Sequence, residues 1–319
     1  MLFSPVPMHI PDGFLSVMVS LVLWVVAVVV VGYALKRVNA DVGERQVPLM
    51  GVLAACIFAG QMLNFSVTGG TSGHLMGAAL ATILLGPWAA IVVMTCVVGV
   101  QALIFQDGGL LVLGANIVNM GIIGAAVAYF AHRTLHKLLG KWSGGLFVSG
   151  FLSGWLSIVV AALACALQLA LSGVSPANIA VPAMAGIHAL IGVGEGLITA
   201  GALVFLKATR RDLLDAGQGQ VAGGKAVWIG GLVIAVALAI LSPLASAHPD
   251  GLEWVAEERG FLDLAREPLY EIIPDYVLPG VANEALATIL AGVIGALIVF
   301  GAAVGVAYLR RTRTQNSSA

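Results

Sequence analysis

Apolar residues run along this chain in blocks of 13 to 27, where about 20 cross about 30 Å of hydrocarbon, with polar residues crowded into the gaps. The blocks fall near 14–35, 47–64, 75–87, 88–105, 110–131, 145–171, 181–206, 226–245 and 285–308. The pattern predicts an all-α membrane protein, a polytopic helical bundle of about nine transmembrane helices. Turn-forming residues punctuate the gaps: Gly69-Gly70, Gly86-Pro87-Trp88, Asp107-Gly108-Gly109 and Ser175-Pro176. The third block is short and rich in glycine, and only the tail 310–319 reads as disordered.

Composition agrees with the pattern. Of 319 residues, 60% are hydrophobic and 10% charged, with a mean hydropathy of +1.01. Soluble domains carry about 25% charged residues, so most of this surface must face lipid. Forty glycines suit close helix contacts in a bilayer. A net charge of −1 offers no surface for nucleic acid. Cys56, Cys96 and Cys165 sit in apolar runs without CxxC spacing and read as small buried hydrophobes.

Basic residues set the orientation, because they accumulate on the cytoplasmic side. With the amino end outside, the inner segments hold Lys36, Arg37, Arg45, Arg133, Lys137, Lys141, Lys207, Arg210, Arg211, Lys225, Arg310, Arg311 and Arg313. Only Arg259 and Arg266 fall outside, so the carboxyl end is expected in the cytoplasm. Residues 1–13 are too short and uncharged for a secretory signal, so the first span is expected to be retained.

Six histidines then raise the question of chemistry. His132 and His136 lie with an inner basic cluster and read as solvated loop residues. His9, His74, His188 and His248 fall at or toward the outer face, where imidazole is the commonest protein ligand for a transition metal. His9 precedes the first span in Met8-His9-Ile10-Pro11-Asp12-Gly13, and His74 ends the glycine-rich loop 69–74. Each alone would be an ordinary loop histidine; together on one face they read as ligands. His188 and Glu195 are seven apart and share a helix face about two turns long. A carboxylate at that depth must pair, protonate or face a cavity. Asn64, Asn116 and Asn119 are polar residues within apolar runs, and serve either interhelical hydrogen bonds or support of a metal-binding loop. Ser153 with His188 could be drawn as a nucleophile and base, but no HExxH motif and no longer serine motif accompany them, so no enzyme is expected.

The stretch Met8-His9-Ile10-Pro11-Asp12-Gly13-Phe14-Leu15 resembles the amino terminus of the substrate-specific membrane component of cobalt/nickel energy-coupling-factor (ECF) transporters, the CbiM/NikM type. The resemblance continues through 72–80, 85–90, 101–110, 114–121 and 188–195. His248-Pro249-Asp250-Gly251-Leu252-Glu253 resembles the PDGLE signature of the small accessory component, CbiN/NikN, in an outer loop, 247–284, with nine acids against two arginines. The resemblance implies a fusion, seven helices plus two: an extension 1–7, a metal-binding module 8–210, a cytoplasmic linker 211–225 and a PDGLE module 226–319, whose loop is either a solvated acidic stretch or a lobe that docks on the first module.

It further implies import of Ni²⁺ or Co²⁺ across a prokaryotic plasma membrane, without an organic cofactor, driven by separate cytoplasmic ATPase subunits through a transmembrane coupling (T) subunit. The chain has no GxxxxGK[ST] loop, so it cannot supply the ATPase. A self-sufficient carrier or channel would need no such partners, but would call for inverted repeats or a chain of titratable residues, and Glu195 is almost alone. In the family, a free terminal amine, the next backbone nitrogen and its imidazole chelate one ion and a second imidazole completes four nitrogens. Carried over, the ligands are Met8, His9 and His74, with His188, Glu195, Asn116, Asn119 and Asn64 around them. Four nitrogens in a plane suit Ni²⁺ or Cu²⁺, whereas hard oxygen cages suit Mg²⁺ or Ca²⁺. One departure is that residues 1–7 place the Met8 nitrogen in a peptide bond, so the mature chain is expected to start at Met8.

Overall fold

The apolar blocks become helices with few exceptions. The computed structural model describes residues 9–41, 43, 46–214 and 225–316. Met8 and residues 1–7 lie outside them, as does the linker stretch 215–224. Among the described residues, seven helices are long and apolar enough to cross a membrane. They are α1 (Val17–Asp41), α4 (Pro87–Val100) with a π-helical turn at Gln101–Phe105, α5 (Leu113–Asn116) continued by another π-helical turn into α6 (Gly124–Leu139), α7 (Gly145–Leu171), α8 (Ala177–Thr209), α9 (Lys225–Leu241) and α11 (Glu284–Asn316).

The two remaining blocks are shorter than expected. α2 (Val47–Gln61) has 15 residues, about 22 Å of rise. α3 (Ala78–Leu85) has eight, about 12 Å, and cannot cross hydrocarbon alone. Its length is set by its ends. Gly77 at φ +82° precedes it, and Gly86 at φ +82° ends it where Pro87 starts the next helix. Both conformations are left-handed and cost glycine nothing. Three smaller expectations also change. The tail 310–316, expected to be disordered, continues α11, and Lys225 opens α9 rather than closing a linker. His132 and His136 stand on the last turns of α6 rather than in a loop, because the helix runs on to Leu139.

α2 is the hub of the bundle. Every residue of it except Cys56 is buried, and α4, α9 and α11 surround it, so the last two helices pack directly on the first module. α1 instead turns Val17, Met18, Leu21, Val22, Val25 and Val28 outward, a face suited only to lipid. Contact between α11 and α2 depends on absent side chains: a Cβ at Gly295 would lie 2.2 Å from Phe58 and 2.7 Å from Phe105. Gly295→Leu is therefore expected to lower the thermal midpoint in detergent, at a cost of about 1–3 kcal/mol. Gly301→Leu on the same helix, with nothing within 4 Å, should leave it unchanged.

Between α2 and α3 the chain forms a hairpin, β1 (Phe65–Val67) against β2 (Thr71–Gly73), with Gly69 and Gly70 at positive φ in its turn. The hairpin, the amino-terminal segment, the 106–112 loop and α10 (Gly251–Glu258) gather at one end of the bundle. Arg133, Lys137, Lys207 and Arg211 gather around a cavity at the other, with Lys207 about 28 Å of helix rise from His188 along α8.

Candidate metal centre

The amino-terminal segment is strapped to the 107–116 stretch by hydrogen bonds at His9, Ile10 and Asp12. The His9 N–H donates to Asp107 Oδ1 at 3.1 Å. Asn116 grips Ile10 twice, accepting its N–H at Oδ1 and donating Nδ2 to its carbonyl, both at 3.1 Å. Gly109 N–H donates to the Ile10 carbonyl at 2.9 Å. Asp12 Oδ1 accepts from the N–H groups of Leu111 and Val112. Unpaired backbone groups are costly when buried, so this strap fixes where His9 sits.

His74 arrives from the other side. The hairpin ends at Gly73, whose α-carbon faces Ile191 so closely that a Cβ would lie 2.4 Å from it. Beyond His74 the chain is pinned by Glu195, wholly buried on α8, whose two oxygens accept from the N–H groups of Met76 (2.6 Å) and Gly77 (3.2 Å). Glu195 therefore holds the loop that presents His74. The two rings meet edge to face with centroids 5.8 Å apart.

They meet at a cavity of about 90 Å³, lined also by His188, Asn116, Asn119, Met76, Met184 and Cys165. That volume suits an ion with little water, well below the about 300–1,000 Å³ of pockets for organic ligands. His188 Nδ1 is 2.9 Å from the Met184 carbonyl, one turn back on its own helix. Asn119 pairs with Gln168 through both amides, at 2.8 and 2.6 Å, which ties the π-helical turn after α5 to α7. Asn64 is buried but does not line the cavity, and neither amide atom has a partner among the described residues. Ser153 donates to the Ser149 carbonyl rather than to His188. Among the described residues no group of three or more His, Cys, Asp or Glu stands close enough to hold a metal, so the two imidazoles need a donor from elsewhere.

Asp107, Asp250 and Tyr276 had no place among the expected site residues. Asp107 is buried, and besides the His9 N–H its Oδ1 lies 3.1 Å from His9 Nδ1. Burial pulls the imidazole's pKa down, but the Asp107 carboxylate outweighs it and holds His9 above the ordinary 6.5. His9 Nε2 is buried and has no hydrogen-bond partner among the described residues. An ion chelated by the backbone nitrogen and Nδ1 of His9 would have to take the place that Asp107 Oδ1 holds.

Asp250, Gly251 and Leu252 roof the cavity. The PDGLE loop reaches it by adding to β2: the Ser72 N–H donates to the Pro249 carbonyl at 2.8 Å, and the Ser72 hydroxyl to the His248 carbonyl at 2.8 Å. A Cβ at Gly251 would lie 2.6 Å from Ile191 and 2.9 Å from the His188 ring, so the roof descends onto His188. Asp250 caps α10 by accepting the Glu253 N–H at 2.7 Å, and burial pushes its carboxyl up to about 8. The acidity of the loop was legible in the sequence, but which acid turns inward was not.

Comparison with known proteins matches two family models in succession along the chain. Residues 9–213 match the family model described as "Cobalt uptake substrate-specific transmembrane region", and residues 225–312 match the PDGLE domain. A chain of Archaeoglobus fulgidus that bears, provisionally, the name fused nickel transport protein NikMN is 36% identical over 314 residues, 96% of this chain and 100% of that one. The fused nickel transport protein NikMN of Rhodobacter capsulatus is 29% identical over 92% of this chain and 96% of its own. A crystal structure of a truncated transition metal transporter superposes with a TM-score of 0.57 at 36% identity, over 63% of this chain and 99% of that chain.

Proposed function

Because this chain belongs to the family of cobalt uptake substrate-specific transmembrane regions and carries a PDGLE domain behind it, we propose that it is the ion-selecting membrane component of an ATP-driven ECF-type importer for Ni²⁺ or Co²⁺. The observation that carries this reading is the convergence of His9 and His74, 5.8 Å apart between ring centroids, at a cavity sized for an ion. Nitrogen donors select borderline divalent ions over Mg²⁺ and Ca²⁺. The Met8 nitrogen joins the set where the chain carries its free amine there. Captured ion enters from the outer face, the amino end lies outside, and the basic end of the bundle faces the cytoplasm, where Lys and Arg are retained. The T subunit and ATPases act from there, since the chain has no phosphate-binding loop of its own.

The test is reconstitution into lipid vesicles with and without the coupling subunit and ATPases. Uptake of radioactive Ni²⁺ is expected only with partners and ATP present. Uptake by this chain alone, without ATP, would replace the reading with a self-sufficient carrier. A pH series adds a second check. A ligating imidazole must be neutral, and Asp107 holds the His9 proton more tightly than usual. Ni²⁺ binding to the purified chain, followed by calorimetry, should therefore weaken as pH falls through the range in which His9 takes up its proton.

A further inference from the structure

Tyr276 belongs to the second module, far along the chain from any expected ligand, yet its side chain is wholly buried against the first. Its hydroxyl donates to Asp107 Oδ2 at 2.5 Å and accepts from Gln101 Nε2 at 3.0 Å. The segment leading to it is laid along the first module: Tyr270 donates to the Leu103 carbonyl, Ile272 N–H to Gln106 Oε1, and Ile273 N–H to the Ile104 carbonyl at 3.0 Å. Its ring stacks on Phe105 at 4.9 Å between centroids.

The backbone is strained at both ends of the Tyr276 to Asp107 bond. Asp275 and Tyr276 have φ of 52° and 58°, and Gln106, directly before Asp107, has φ of 58°. Left-handed backbone at non-glycine residues is strained and persists only where the surroundings enforce it. Burial, and then the neighbouring carboxylate, hold the phenol well above its ordinary pKa of 10.0, so it stays a donor. The other oxygen of Asp107 holds the backbone N–H and Nδ1 of His9. A continuous path therefore runs from the second module through one carboxylate to a residue of the metal centre.

We propose that Tyr276 is a positioning residue for the metal site, through which the PDGLE module fixes Asp107 and thereby the orientation of His9. The proposal rests on the reading of His9 as a ligand, here through Nε2, the ring nitrogen that Asp107 leaves without a partner among the described residues. Carboxylates that hold a ligating histidine matter to affinity nearly as much as the ligands, and their loss typically weakens binding about 10–100-fold. Tyr276 acts one bond further out and makes that carboxylate's place depend on the second module.

The experiment uses the full chain in detergent, titrated with Ni²⁺ and followed by calorimetry and by the visible absorption of the bound ion. Tyr276→Phe keeps the ring on Phe105 and removes only the hydroxyl. It is expected to weaken binding about tenfold and to alter the absorption of bound Ni²⁺. In an Asp107→Ala background, itself weakened, the same change should have no further effect, because the path is already cut. A merely structural Tyr276 would add its full loss in both backgrounds. Wild-type affinity with an unchanged spectrum in Tyr276→Phe overturns the proposal, and so does full additivity. If His9→Ala binds as the wild type does, the ligand reading itself fails; if His9→Ala loses binding while Tyr276→Phe does not, this inference fails alone.

Discussion

His9→Ala and His74→Ala are each expected to reduce Ni²⁺ and Co²⁺ binding at least about 1,000-fold, the largest effect of any substitution in this chain. Two imidazoles meet at a cavity otherwise lined mainly by apolar side chains and amides. Among the described residues no group of three or more His, Cys, Asp or Glu stands close enough to hold a metal, so each imidazole counts for much of the site. A divalent ion leaving water for such a site gives up hydration that a single imidazole cannot replace. Folding should survive in His74→Ala, since the Ser72 and Met76 contacts on either side are made by backbone groups and the Ser72 hydroxyl. Equilibrium dialysis with both metals, alongside melting in detergent, measures the two separately. A stable His74→Ala protein that binds either ion normally would remove His74 from the site.

Glu195→Gln is expected to come second, weakening metal binding about 10–100-fold although the residue does not line the cavity. The two carboxyl oxygens accept from the N–H groups of Met76 and Gly77. A glutamine keeps the size but offers one acceptor, so its amide NH₂ would face a backbone N–H. A buried donor left without an acceptor costs about 1–3 kcal/mol. The relief available is to let the 74–77 stretch move away from α8, which carries His74 with it. Thermal melting and metal titration of the same preparation should fall together. If the midpoint drops and affinity stays, Glu195 supports the fold without governing His74.

What the sequence discloses here follows the physics of each signal. Long apolar runs cost too much in water to mean anything but membrane helices, so seven of the expected spans stand where the blocks lie. α3 fails as a span because two left-handed glycines bound it, and an apolar tally is blind to φ. His9 and His74 could be singled out in the sequence because histidine is scarce and each precedes an apolar block. Asn116 was legible only as a polar residue in an apolar run; its double bond to Ile10 depends on a pairing 106 residues apart. Asp107 stands in a stretch that reads as turn punctuation, and Tyr276 in a loop that reads as solvated and acidic. Neither carries a local signal of burial, because both are buried by long-range contact between modules. Glu195 was conspicuous by depth alone, and its partners proved to be backbone donors that no side-chain pattern reveals.

The bond between Ser72 and Pro249 has a consequence for how the two modules find each other. Because both ends belong to one polypeptide, seating the roof is a unimolecular event that does not depend on the concentration of a partner. The roof then forms without the loss of translational freedom that two diffusing subunits would incur. Dilution in the membrane cannot unseat it, and each molecule carries its own cover in a fixed ratio of one to one.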